Sequence, residues 1–272
     1  MQATSRESLQ TVRLWYESLL RDADEQRLWT LGDELASVTT LLSRERRLRR
    51  SLADSTVSPE ARRGLVDQLF GAQVGADTLE TLRQTVTSRW SRSLDLLNAL
   101  ELFGRFPALT AAERAGNADE IEDELFRFGR ILESEPQLER LLGDETEEAD
   151  QRVRLLHDVV GAKVHTATRT LLEQLVYSPR GRMLHTLVTE VAELAASRRD
   201  ESVAHVRAVA ELTSEQEQRL TDVLSSIYGR RISIQVEIDP GVVGGLVVRI
   251  GDEVIDGSLA SKLTKAREEL HG

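Results

Sequence analysis

The sequence predicts a mainly α-helical protein with a small α+β domain at its C-terminal end. Three observations support this fold class: a repeat with a period of 90 residues, apolar residues at helical spacing within each copy, and strict apolar–polar alternation in the tail. We therefore expect two tandem helical bundles followed by a strand-helix-strand-strand-helix domain. The predicted boundaries are residues 1–99, 100–200 and 201–272.

The repeat is found by aligning the chain with itself at an offset of 90 residues. The stretch DELASVTTLLSRERRLRRSLADST, which begins at Asp33, aligns with DELFRFGRILESEPQLERLLGDET, which begins at Asp123. Residues 31–98 and 121–188 align without a gap, and 23 of the 68 positions are identical. This similarity predicts a tandem duplication of a domain of about 90 residues.

Each copy has the apolar spacing of several short amphipathic helices. In the second copy, Ile121, Leu125, Phe128 and Leu132 recur at intervals of three and four residues, and polar stretches such as 144–150 separate the helices. Several such helices in about 90 residues are typical of a compact bundle. We expect the first helix of each copy near residues 9–28 and 99–116.

The tail has a different pattern. Residues 231–238 (RISIQVEI) alternate strictly, as in a half-buried strand, and residues 245–250 form a second candidate strand. A weaker alternation at 203–210 indicates another strand. Thr213 and Gln216 have the spacing of a capping box that opens a helix, and a last helix is expected after Ser258.

Composition and charge exclude several classes of function. The 272 residues carry a formal net charge of −11, the opposite of what a nucleic-acid binder needs, and contain no cysteine. No apolar run is long enough for a membrane-spanning helix, and the N-terminal residues lack a signal-peptide pattern. The basic cluster Arg44, Arg46, Arg47, Arg49 and Arg50 is interpreted as a solvated helix end, or as a contact for an acidic partner or anionic lipid surface.

The glycine-rich stretch GVVGGLVVRIGDEVIDGS at 241–258 raises the question of a phosphate site. A phosphate-binding loop would need a lysine followed by Ser or Thr and a helix behind it, whereas Gly244 and Gly245 precede a strand. The glycines are therefore expected to serve turns and close backbone approach. The five histidines have no metal-ligand spacing, and no catalytic set is present, so we expect no enzyme activity, cofactor or metal.

The tail GGLVVRIGDEVIDGSLASKLTKAREEL resembles the C-terminal signature of the delta subunit family of bacterial F-type ATP synthase, which includes the mitochondrial oligomycin-sensitivity-conferring protein. The resemblance extends more loosely through residues 100–200, and the extra first copy looks like a longer form of the family. The signature residues are Gly244, Gly245, Gly251, Asp252, Asp256, Gly257 and Ser258.

The resemblance implies a non-catalytic stator subunit at the cytoplasmic face of the membrane. In this family a helical bundle holds the amphipathic N-terminal helix of an alpha subunit, and the C-terminal domain holds the b-type peripheral-stalk subunit. We place the helix-binding groove on the second copy. The candidate groove residues are Phe106, Leu109, Leu171, Leu172, Leu175 and Val176. The alternative is a helical adaptor that binds an unrelated amphipathic helix.

Overall fold

The structure, a computed structural model, describes residues 1–201, 203–228, 232–242, 244–250 and 253–257. It contains two compact units, Met1–Ala192 and Glu193–Gly272. The first is helical and the second contains a four-stranded mixed sheet, so the predicted fold class is confirmed.

The described residues form twelve helices and four strands. The helices are α1 (Ala3–Asp22), α2 (Glu25–Arg44), α3 (Arg46–Ala53), α4 (Pro59–Phe70), α5 (Ala76–Thr87), α6 (Ser93–Ala115), α7 (Ala118–Ser134), α8 (Pro136–Gly143), α9 (Ala149–Val160), α10 (Thr166–Tyr177), α11 (Leu184–Glu201) and α12 (Ser214–Tyr228). The strands are β1 (Val203–Ala208), β2 (Ser233–Ile238), β3 (Leu246–Ile250) and β4 (Glu253–Asp256).

Helix bounds in the first unit recur at an offset of 90 residues. The bounds of α3, α4 and α5 match those of α8, α9 and α10 at both ends, and α1 and α6 begin 90 residues apart. We call two residues at this offset counterparts. We call α1–α5 the first series of helices and α6–α10 the second. Helix α6 follows the first series directly and begins the second. It runs without a break across the predicted boundary between residues 99 and 100.

The single helix predicted near residues 9–28 is wrong, because the chain breaks between α1 and α2. Ala23 has an extended backbone, and the Asp24 side chain accepts a hydrogen bond from the N–H of Arg27 as the N-cap of α2. The apolar spacing continues across this break, so the sequence pattern predicted one helix where the structure has two.

Helix α6 is the centre of the first unit. It contacts α1, α2, α3, α5, α7 and α10, and its buried residues lie on all sides of the helix. Residues 103–110 are all buried, so every face of this part of α6 is enclosed by other helices.

A proline inside α6 explains how α1 is fixed against it. Pro107 has no N–H, so the carbonyl of Phe103, four residues earlier, lacks its helical donor. The hydroxyl of Tyr16 on α1 donates to this carbonyl at 2.9 Å. The Tyr16 ring also packs against Phe103 and Phe106, with ring centroids 4.9 and 6.2 Å away.

A cluster of charges joins α6 to the segment before α11. Glu101 on α6 accepts hydrogen bonds from Arg105, at 2.7 Å, and from Arg180 and Arg182. The Glu101 side chain is only 14% exposed. Burial raises its pKa, but the three arginines outweigh that effect and hold the pKa below its ordinary value. The cluster fixes the path of the chain into α11.

Two buried arginines at counterpart positions close the ends of helices. Arg62 donates to the carbonyl of Val86 at the end of α5, and Arg152 donates to the carbonyl of Val176 at the end of α10. The last carbonyls of a helix have no helical donor, so each arginine satisfies an acceptor that burial would otherwise leave unpaired. Both series therefore use the same device to hold the fourth helix to the fifth.

The second unit is built on a sheet in the order β2-β1-β3-β4. β1 pairs in parallel with β2 and antiparallel with β3, and β4 extends the other edge. The predicted capping box opens α12: Thr213 and Gln216 exchange side-chain and backbone hydrogen bonds. Leu224 of α12 lies in the core of the unit with Val206 and Val248. Strand β4 was not predicted, and the expected last helix lies outside the described residues.

The glycines of the tail serve the backbone, as expected. Gly244 and Gly245 have φ of 66° and 83°, in the region that favours glycine. A Cβ at Gly257 would lie 3.1 Å from the carbonyl oxygen of Leu246, to which the Gly257 N–H donates. The turn before β3 is closed by Asp239, which accepts from the N–H of Gly241 at 2.8 Å.

We predict that Tyr16→Phe lowers the free energy of unfolding by about 1–2 kcal/mol, because the buried Phe103 carbonyl then has no donor. Pro107→Ala returns an N–H to this carbonyl. In the Pro107→Ala background, Tyr16→Phe should therefore cost clearly less. Urea denaturation of the two single variants and the double variant measures this coupling, and additive effects would contradict the explanation.

We also predict that Glu101→Gln lowers the free energy of unfolding by about 3 kcal/mol at pH 7, because three partly buried guanidinium groups lose their carboxylate. The Glu101 pKa is lowered by folding, so its stabilisation is complete above the unfolded value of about 4.3 and is lost as the pH falls through the lowered pKa. The difference from wild type should therefore shrink below about pH 4.

Denaturant titrations at pH 7 and at about pH 3.5 test this pH dependence. The matched control is Glu60→Gln, which removes an exposed carboxylate from the first turn of α4 and should change stability little. If the effect of Glu101→Gln were the same at both pH values, the ionised Glu101 carboxylate would not be the source of the stabilisation.

Candidate partner-binding site

The six residues predicted to line a helix-binding groove lie in the interior of the first unit. Their exposed fractions are 0% for Phe106 and Leu172, 1% for Leu171 and Val176, and 3% for Leu109 and Leu175. The structure does bring their helices, α6 and α10, into contact. A side chain that is at most 3% exposed offers almost no area to a partner in this conformation, so the groove assignment stays a prediction.

Helix α2 lies against α6. A Cβ at Gly32 of α2 would lie 3.5 Å from the carbonyl oxygen of Gly104 and from the Pro107 side chain. In the other direction, a Cβ at Gly104 would lie 3.6 Å from the backbone of Ala36. Small residues at this crossing let the two helix backbones approach closely, and α2 thereby covers one side of α6.

The same crossing reaches α10. The Gln174 side-chain amide of α10 donates to the Gly104 carbonyl at 3.3 Å. Ala36 and Thr39 of α2 line a 30 Å³ cavity together with Gly104 and Leu175. Helix α2 of the first series thus faces the seam between α6 and α10, which is where we expected an external helix to bind.

The electrostatic environment of Asp33 reflects the same proximity of α2 and α10. Partial desolvation, followed by the negative charge of Glu173 on α10, raises the pKa of the Asp33 carboxyl above its ordinary value. Glu173 itself contacts His157 of α9 at 2.5 Å. The counterpart pair is Asp67 on α4 and Arg83 on α5, at 2.6 Å, so the carboxylate lies on the fourth helix in the first series and on the fifth helix in the second.

The counterpart of the α6–α10 seam is the seam between α1 and α5, which are also in contact. Leu14 is the counterpart of the buried Gly104, and it is 61% exposed. Trp15, the counterpart of the buried Arg105, is half-buried. The first series therefore presents large apolar side chains at the positions where the second series is covered by α2.

The basic cluster of the sequence has two parts. Arg49 is buried and donates to the carbonyls of Leu42 and Ser43 at the end of α2, so it is part of the fold. The other four, Arg44, Arg46, Arg47 and Arg50, are exposed.

Only part of the tail signature lies within the described residues. Gly244, Gly245, Asp256 and Gly257 form turns and the β3–β4 pairing. Gly251, Asp252 and Ser258 lie outside the described residues.

Membrane spans and metal sites are absent from the described residues. Among them, no helix has the length and apolar character to span a membrane. Nor do the described residues contain a group of three or more histidine or acidic side chains placed to bind a metal ion.

The comparisons with known proteins agree on one family. The family model described as "ATP synthase delta (OSCP) subunit" matches residues 108–270. The "ATP synthase subunit delta" of Streptomyces avermitilis is 42% identical over 266 residues, which cover 98% of this chain and 97% of that protein. The "ATP synthase subunit delta" of Streptomyces griseus subsp. griseus is 41% identical over 272 residues, the whole of both chains.

A longer relative also matches nearly all of this chain. The "ATP synthase subunit b-delta" of Mycobacterium sp. (strain KMS) is 43% identical over 270 residues, which cover 99% of this chain and 61% of that protein. These matches favour the stator hypothesis over a helical adaptor for an unrelated partner. The chain belongs to the ATP synthase delta (OSCP) subunit family and is a non-catalytic component of the stator of F-type ATP synthase.

Proposed function

We propose that this chain links the catalytic head of the ATP synthase to its membrane sector at the cytoplasmic face of the membrane. In this proposal the helical unit binds the amphipathic N-terminal helix of an alpha subunit, and the C-terminal unit binds the b-type stalk subunit. We further propose that the two series of helices arose by duplication, with residues 1–99, 100–200 and 201–272 as the ancestral modules.

The main support for the proposed contact with the catalytic head is the difference between the α6–α10 seam and the α1–α5 seam. The α6–α10 seam is faced by α2, whereas Leu14, the counterpart of Gly104 on α1, is 61% exposed. An amphipathic helix binds through apolar side chains that enter a groove between helices. We therefore propose the α1–α5 seam as the site of the alpha-subunit helix and place it on the first series instead of the second.

Helix α2 shows how such a helix could be held. Its contact face carries Gly32, Ala36 and Thr39, at intervals of four and three residues. Leu14 replaces Gly104 at the point of closest approach, so a helix on the α1–α5 seam would sit further from α1 and would use larger side chains.

Support for the stalk contact comes from the mycobacterial relatives. Their name, "ATP synthase subunit b-delta", joins b and delta in one protein, and this chain matches 61% of its length. A protein that carries both names is consistent with a direct contact between a b-type subunit and a delta subunit.

We predict that Leu14→Asp weakens binding of an alpha-subunit N-terminal peptide by about tenfold or more, because a charge replaces an exposed apolar contact. Isothermal titration calorimetry on the full-length chain measures this affinity. The matched control is Leu69→Asp on α4, where the side chain is also exposed, at 40%. The control should bind as wild type does.

Two results would contradict the placement. If Leu14→Asp bound the peptide as tightly as wild type, the α1–α5 seam would not be the site. If Leu69→Asp weakened binding equally, the loss would reflect charge in general. Far-ultraviolet circular dichroism of each variant verifies that the helices are intact.

A further inference from the structure

We infer that a second docking site lies in a charged cleft between the two series of helices, and that it receives a stalk-type helix with acidic side chains along one edge and basic side chains along the other. The cleft has a volume of about 880 Å³. Arg44 and Arg46 line one wall, and Glu147 and Glu148 line another. Leu94 and Tyr177 also line it. The inference rests on the proposed stator function and adds a contact to it.

The basic wall occurs in one series only. Arg44 ends α2 and Arg46 begins α3, and both are exposed. Their counterparts in the second series are Ser134 and Pro136, which carry no charge. These two positive charges are therefore specific to the first series, and they lie where that series borders the cleft.

The acidic wall belongs to the other series. Glu147 and Glu148 lie in the segment between α8 and α9, and both are exposed. Their counterparts are Val57 and Ser58, again without charge. At these four positions the two series thus differ in charge, with exposed arginines from the first series and exposed glutamates from the second.

The opposed charges do not neutralise each other directly. In the part of the chain that the structure describes, no ion pair joins Arg44 or Arg46 to Glu147 or Glu148. Exposed charges that remain separate can pair with groups on a partner, which gives specificity and register to the contact.

The cleft also offers apolar area. Leu94 is 44% exposed and Tyr177 is 41% exposed. The counterpart of Leu94 is Leu184, which is buried at 1%, and the counterpart of Tyr177 is Thr87. An occupant therefore needs an apolar strip between its two charged edges.

A helix of the coiled-coil type has this combination. Its heptad places an apolar seam between flanking positions that often carry Glu and Lys. A helix about 10–12 Å across rises 5.4 Å per turn, so 880 Å³ accommodates roughly two turns. The b-type stalk subunit of the proposed function is the candidate that supplies such a helix.

The test measures binding of the soluble helical part of the b-type subunit from the same ATP synthase to the full-length chain. The variant Arg44→Glu/Arg46→Glu reverses the basic wall. The matched control, Arg47→Glu/Arg50→Glu, makes the same change of net charge on the neighbouring residues of α3, at exposed positions that do not line the cleft. We expect the first variant to bind about tenfold more weakly at low salt, and the control to stay within about twofold of wild type.

A second variant addresses the opposite wall. Glu147→Lys/Glu148→Lys should also weaken binding, and both losses should diminish as the salt concentration rises, because exposed charges are screened. Equal losses in the cleft variant and the control would overturn the inference, as would unchanged affinity in both wall variants or the absence of b-subunit binding to wild type.

The chain contains no cysteine, so the walls can be probed by a disulfide. If Arg46→Cys combined with Glu147→Cys forms a disulfide rapidly and completely without a partner, the walls close on each other and the inference is overturned. Slow cross-linking that the b-type helix suppresses further would support it.

Titration of the alpha-subunit peptide separates the two proposals. Every cleft variant should retain wild-type affinity for this peptide. If peptide binding persists while the cleft results are negative, the cleft inference fails and the head contact stands. If the peptide also fails to bind wild type, the proposed head contact fails.

Discussion

The organisation of the helical unit depends on a single constraint: α6 must be enclosed on all sides. Its buried residues surround the helix, and Pro107 leaves a buried carbonyl without its helical donor. Tyr16 supplies that donor from α1, and Gly32 brings α2 close to Gly104. The cores of the two series are therefore continuous, because the helix that completes one begins the other.

This arrangement explains why equivalent seams differ in role. The seam that contains Gly104 is faced by a helix of the same chain, whereas Leu14, the counterpart of Gly104 on α1, is exposed to solvent. Two series of helices thereby present different surfaces from similar sequences. The charges follow the same logic, since Arg44 and Glu147 have uncharged counterparts and border the same cleft.

Much of the fold was predictable from local patterns. The 90-residue offset, the capping box at Thr213 and the positions of β1, β2 and β3 depend on spacing and on neighbouring residues, which the sequence displays directly. The break between α1 and α2 was missed because the apolar spacing continues across Ala23. Strand β4 was missed because four residues give too short an alternation to recognise.

The candidate groove could not be located from the sequence for a physical reason. Apolar periodicity shows that Phe106 and Leu175 lie on contact faces, but the same pattern describes a face that meets another part of the chain and a face that meets a partner. The sequence does contain one difference between the two faces: Gly104 in the second series corresponds to Leu14 in the first. This difference can be interpreted only when it is known which helix crosses at Gly104, and the structure shows that this helix is α2.

A helix that serves two series also limits how such a protein can change in length. Division of the chain between residues 99 and 100, which the alignment alone would suggest, splits α6. Each of the two fragments then lacks part of the helix that completes its core. Gain or loss of a whole repeat would have to begin and end at equivalent points within this helix. A shorter chain without α2 would require the buried glycine crossing on α6 to be rebuilt for exposure to water.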